Sequence, residues 1–312
     1  MPIQSRSELV KIEASVLDPH GDFVSGLTQG SFRVLDNGVE RPIEFFAPVE
    51  TAAHVLVLLE TSPAVYLIRN QHLAAAYALI EGLDADDEVA LAVYDRTPRA
   101  ILSFTPDKSA FLAALDKAQF TIGMGDLNCY DSISAVLDWL APVEDKKAIV
   151  LISTGLDSSP PTRWNALAEK LGAEDVPIFS VALGGPLRGE PAKKPRRKKT
   201  ATSSGSADAG ASSEARSAAE FAGADEALRS LATITGGRAY FPQSDNDFVS
   251  IYHEIAAALR HEYVLGVAPA HDNQFHALTV EVLGNNNRPN DTQAKRSEYR
   301  ILARAGYLAP RP

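Results

Sequence analysis

Residues 54–60 read His-Val-Leu-Val-Leu-Leu-Glu, an apolar run closed by an acid, and Thr61, Ser62, Pro63 and Ala64 follow. An apolar run of this length reads as a strand buried on both faces, as in a parallel sheet. In open α/β sheets, ligand chemistry sits at the carboxyl ends of such strands. Glu60 and Ser62 therefore stand where a site is expected.

From residue 54 to about 260 the chain alternates strand and helix patterns. Strands are expected at 55–60, 88–94, 100–104, 148–154 and 177–183, with a short sixth at 238–241. Helices are expected at 64–81, 108–117, 128–140, 163–172, 225–235 and 245–261. Asp107 is placed to cap the second helix, and Gly172 and Gly236 stand where helix-terminating glycines belong. Such alternation specifies a parallel sheet covered on both faces.

The flanks read differently. Residues 9–17 largely alternate apolar and polar side chains, the mark of a half-buried strand. Asp18 to Asp22 form a turn, and 32–35 and 39–46 read as a hairpin around Asn37-Gly38. Further strands are expected at 263–268, 277–283 and 298–303. Neither flank alone offers enough strands for a stable sheet. The expectation is a β-sandwich of 8–50 and 262–306 with an α/β domain, 51–261, inserted in it. Residues 184–223 carry the basic run Lys193 to Lys199 and a Ser/Ala/Gly-rich tract with little to bury, so a disordered insertion is expected.

Composition narrows the function. A net charge of −10 argues against general nucleic-acid binding. The basic run reads as a solvated tether. The single cysteine, Cys129, rules out an internal disulfide framework and is expected to be buried in a helix. No apolar run approaches the roughly 20 residues of a transmembrane helix. The start shows no signal peptide, which fits either a cytoplasmic chain or one whose targeting segment lies upstream. The seven histidines show no H-x-x-x-H or H-E-x-x-H spacing. Ser62 lies in no nucleophile elbow. The acidic run at Asp84, Asp86, Asp87 and Glu88 lacks the glycine of a calcium loop and reads as a solvated turn. Gly123-Met124-Gly125 lacks the lysine of a phosphate loop and reads as a rim loop.

Several phrases, in order, carry a resemblance. They are residues 55–62; Tyr130-Asp131-Ser132-Ile133; 148–155; 235–241; and Tyr263-Val264-Leu265-Gly266. The phrases at 24–28 and 32–34 and the close at 304–310 add to them. The chain resembles von Willebrand factor type A (VWA) domain proteins, and more narrowly the bacterial VWFA-related proteins described from Acidobacteria. The resemblance implies a doubly wound, mostly parallel six-stranded sheet and binding to other proteins through a metal-ion-dependent adhesion site. It also implies export or association with the cell envelope. In the family the site combines an Asp-x-Ser-x-Ser loop, a Thr from a second loop and an Asp after a later strand, around Mg²⁺.

This sequence departs from that pattern. Glu60 replaces the first Asp, Ser62 is kept, and Ala64 replaces the second Ser. The Thr position falls on Leu127 and the later Asp on Thr154. The expectation is therefore no tight metal and no cofactor. The weak candidates for a displaced oxygen cluster around Mg²⁺ or another divalent cation are Glu60, Ser62, Asp126 and Asp157, with Asn128 beside them. The alternative for Asp126 and Asn128 is helix capping, and for Asp157 a place in the loop. The reading is a non-enzymatic protein-binding module whose rim carries Glu60, Ser62, Asp126, Asn128 and Asp157. The alternatives are a structural or assembly component of the envelope, and a hydrolase using Ser62 or a displaced metal.

Overall fold

The computed structural model describes residues 9–62, 65, 69–118, 120, 126–144, 146–158, 161–183, 207–244, 246–283 and 299–311. The N-terminal flank holds strands β1 (Val10–Leu17), β2 (Phe32–Asp36), β3 (Val39–Arg41) and β4 (Phe45–Glu50). The middle holds β5 (His54–Glu60), α1 (Arg69–Gly82), β6 (Glu88–Tyr94), β7 (Pro98–Thr105), α2 (Lys108–Asp116), α3 (Cys129–Leu140) and β8 (Lys147–Ser153). It continues through α4 (Pro161–Ala173), β9 (Ile178–Ala182), α5 (Ala207–Thr235), β10 (Ala239–Tyr240) and α6 (Asp247–Arg260). The C-terminal flank holds β11 (His261–Val267), β12 (Phe275–Val282), β13 (Arg300–Ala303) and β14 (Gly306–Leu308).

The middle strands form one six-stranded sheet in the order β10-β9-β8-β5-β6-β7. Every pairing is parallel except that of β6 with the edge strand β7. The apolar run at 54–60 is central because both its faces are covered. Val55, Val57 and Leu59 pack under α1, α2 and α6. Leu56 and Leu58 pack under α3, α4 and α5. Each such side chain withdrawn from water contributes about 2 kcal/mol. The chain leaves β5 toward β6 on one side and later places β8 on the other. The strand order therefore reverses between β5 and β8, which opens a crevice at their carboxyl ends.

The flanks build two antiparallel sheets, β13-β1-β11-β4 and β14-β12-β2-β3, each mixing N- and C-terminal strands. Ile12, Ala14, Val16, Phe32, Val34, Tyr263 and Leu265 fill the core between them. The α/β unit is thus inserted in a β-sandwich made by both flanks. A buried ion pair ties the two: Lys146 Nζ, before β8, lies 2.7 Å from Glu262 Oε2 on β11.

Several local expectations are corrected. The segment 39–46 is not one hairpin strand. Asn37 (φ 50°) and Gly38 (φ 80°) make the expected tight turn, but β3 ends at Arg41 and β4 crosses to pair with β11 in the other sheet. The segment 207–223, expected to be disordered, has a helical backbone as the first part of α5. Its alanine content favours helix. Residues 184–206, with the basic run, lie outside the described residues, as does Gly123-Met124-Gly125. Gly172 does not end α4, which runs to Ala173. His261 leaves the helix and begins β11. Gly236 does end α5, at φ +80°, where a Cβ would stand 2.6 Å from Arg304 N.

Candidate functional site

The crevice between β5 and β8 is filled by the chain itself. Glu60, the last residue of β5, is fully buried, and Ser62 is 2% exposed. Both are corrected from rim to interior. Burial follows because donors surround the carboxyl group from two loops. Ser62 Oγ donates to Oε1 at 2.6 Å. Ser153 Oγ donates to Oε2 at 2.9 Å. The Thr154 backbone N–H donates to Oε2 at 2.7 Å, and Thr154 Oγ1 donates to Oε2 at 2.9 Å. A carboxylate offers about four lone-pair sites, and four donors converge on this one.

The donors are themselves oriented. Tyr94, at the end of β6, places its hydroxyl 2.7 Å from Ser153 Oγ. The Gly155 N–H donates to Ser153 Oγ at 2.8 Å. These contacts leave the Ser153 proton to point at Glu60. Thr61 donates from Oγ1 to the Tyr94 carbonyl at 3.1 Å, fixing the loop after β5. Cys129, at the start of α3, lies against Tyr94 and Ser153, and burial pushes its thiol up to about 12. Burial also holds the Tyr94 hydroxyl well above the usual phenol range.

The rim residues hold the loops rather than each other. Asp126 is exposed. Asn128 occupies the N-cap position of α3 but makes no side-chain cap; its Nδ2 donates to the Arg96 carbonyl at 2.8 Å. The capping oxygen comes from Asp157, whose Oδ2 accepts the Tyr130 N–H at 2.9 Å. Ser158 clamps the same loops, its N–H donating to Leu127 O at 2.7 Å and its Oγ accepting Leu127 N at 3.1 Å. Leu127 is 5% exposed and part of the core.

This donor set does not fit Mg²⁺, which needs near-octahedral oxygens with free lone pairs at about 2.1 Å. Both Glu60 oxygens are engaged by protein donors, Oε2 by Ser153 and Thr154 and Oε1 by Ser62, and Leu127 offers no ligand. Among the described residues, no group of three or more His, Cys, Asp or Glu side chains is placed to hold a metal ion. Sequence reasoning missed Tyr94 and Ser153 as parts of the site, and gave Thr154 only as the place of a lost acid. The available signal was that 147–153, like 54–60, is a buried run with two hydroxyl residues at its carboxyl end: Ser153 and Thr154 here, Thr61 and Ser62 there.

The sheet order, its single antiparallel edge and a polar loop ending the central strand decide the architecture. The inserted unit is a doubly wound α/β domain with the six-stranded sheet expected of a VWA-like fold. No family model matches the sequence, and no curated protein matches it. Solved structures similar in shape include the following three. One is BatB from Bacteroides thetaiotaomicron, 17% identical over 66% of this chain and 98% of that one, with a TM-score of 0.45. Another is an aerotolerance-related membrane protein from Bacteroides fragilis, 14% identical over 65% of this chain and 98% of that one, at 0.42. A third is a von Willebrand factor type A protein from Catenulispora acidiphila, 10% identical over 99% of this chain and 75% of that one, at 0.48. At these scores the likenesses assign no chemistry to the VWA-like unit. Among the described residues no helix is long and apolar enough to cross a membrane.

Proposed function

We propose that this chain is a non-enzymatic protein-interaction module whose VWA-like unit binds its partner without a metal ion. The observation that carries this reading is the Glu60 carboxyl group with its four donors inside the crevice. A VWA-like site of the metal-dependent kind needs open oxygens there, and Glu60 closes them off. Ser62 supports the non-enzymatic reading, since it is buried and its proton is directed at Glu60 rather than at a substrate. The surface left for a partner is the rim of the same face, with exposed Asp126 and half-buried Asn128 and Asp157. Carboxylates without a bridging cation select a basic or neutral partner surface over an acidic one.

The test is partner capture from extract of the native host on the immobilised chain, in Mg²⁺ and in excess chelator. The expected result is capture of the same partner in both conditions, weakened at least about tenfold by Asp126→Lys. Loss of the partner in chelator contradicts the metal-independent reading.

A further inference from the structure

His276 lies on β12 inside the sandwich, 6% exposed, and both its ring nitrogens meet acids. Nδ1 is 2.5 Å from Asp36 Oδ1 on β2. Nε2 is 3.2 and 3.1 Å from Oδ1 and Oδ2 of Asp272, in the turn before β12. Carboxylate oxygens only accept, so both nitrogens must donate, and only the imidazolium carries two N–H groups. Two further groups hold the Asp36 carboxylate. Tyr307 on β14 donates to Asp36 Oδ2 at 3.3 Å, and Arg41 on β3 lies 3.3 Å from the same atom. Asn37, whose carbonyl oxygen accepts the Ala277 N–H at 2.9 Å, meets Nδ1 with its Nδ2 donor at 3.3 Å, but the 2.5 Å approach of Asp36 Oδ1 is the shorter contact and assigns the Nδ1 proton to Asp36.

We propose that His276 is a protonation latch, which as an imidazolium pins the 269–274 turn to the β14-β12-β2-β3 sheet and on losing the Nε2 proton releases it. The choice of nitrogen follows from burial. The Asp36 side chain is fully buried and Asp272 is 42% exposed. An unpaired acid at Asp36 has no water to turn to, whereas Asp272 does. The Nδ1 proton therefore stays, and Nε2 becomes a lone pair facing the Asp272 carboxylate. Among the described residues the turn then keeps its lighter ties: Ala270 N to the Tyr307 hydroxyl at 2.9 Å, Asn273 N to Pro310 O at 3.3 Å and Ala309 N to Gln274 O at 2.8 Å, with Gln274 N still donating to Asp272 Oδ1 at 2.9 Å inside the turn.

The hydrogen bonds to Asp36 and then Asp272 hold His276 above its ordinary 6.5, and the bond to His276 holds Asp272 below its usual range. A histidine raised on folding stabilises fully below its unfolded value, and that contribution is lost as pH rises through the folded value. The latch is closed in acid and opens on the alkaline side.

The experiment is an NMR titration of the histidine rings of the full chain, with amide exchange followed at Asn273 and Gln274 after correction for base catalysis. The expected result is a His276 midpoint above 6.5, across which protection of these two amides falls about tenfold. Asp272→Asn, at a half-exposed position, is expected to lower that midpoint and remove the step in protection. A midpoint at or below 6.5, or turn protection that does not change across it, overturns the proposal.

Discussion

Glu60 Oε2 accepts the backbone N–H of Thr154 at 2.7 Å, which joins the carboxyl ends of the two central strands through one side chain. The bond spans the place where the strand order reverses. A buried acid at that position is therefore a structural bridge, and its removal leaves donors from two loops without an acceptor. Glu60→Ala is expected to destabilise the fold by about 3 kcal/mol, since each buried donor left unsatisfied costs about 1–3 kcal/mol. Urea unfolding checks this. Glu60→Gln, which keeps one acceptor oxygen, is expected to lose less.

Gly155 ties the same loop to α5. Its φ is +76°, and a Cβ there would stand 2.7 Å from Leu228 Cδ1. Gly155→Ala therefore meets both a left-handed backbone and a packed leucine, and is expected to cost about 2 kcal/mol. Leu228→Ala in the same chain relieves the clash but not the backbone strain. Thermal melts of the single and double variants separate the two.

The link between the α/β unit and the sandwich rests on a buried pair, Lys146 and Glu262, with side chains 8% and 7% exposed. Lys146→Met leaves a buried acid alone and is expected to cost about 3 kcal/mol, while Lys146→Met with Glu262→Leu recovers most of it. Burial holds the Glu262 carboxyl above its ordinary 4.5. Its contribution to stability is therefore present below 4.5 and lost as pH rises through the raised value. Glu262→Gln is expected to flatten that part of a stability-against-pH curve measured by denaturant titration.

Cys129 is 1% exposed, and burial pushes its thiol up to about 12. The thiolate is the reactive form. The folded chain is expected to resist a thiol-specific reagent at pH 8 and to react once per chain after denaturation. Reaction of the native chain at the denatured rate contradicts the placement of Cys129 beside Tyr94.

The parts of the fold that could be read in advance are those where one local pattern has one physical meaning. The runs at 55–59 and 89–93 are buried strands because every side chain in them is apolar. Asn37-Gly38 is a tight turn because its backbone needs positive φ. Asp107 caps α2 through the N–H groups of Ser109 and Ala110. What was not legible depends on partners far apart in sequence. The split of 39–46 is decided by pairing with β11, more than 200 residues away. The interior position of Glu60 is decided by Ser153 and by Thr154, the latter reading at the level of sequence only as the place of a missing acid. The helical cap supplied by Asp157 to Tyr130 likewise crosses between loops, so the nearby Asn128 was the natural but incorrect candidate.

The most direct test of the central claim is titration calorimetry of Mg²⁺, Mn²⁺ and Ca²⁺ into the chelator-stripped chain, with Glu60→Ala alongside. A carboxyl group saturated by Ser62, Ser153 and Thr154 predicts no binding heat from any of the three ions. Stoichiometric binding that disappears in Glu60→Ala would show that Glu60 is open to a cation and would contradict the account.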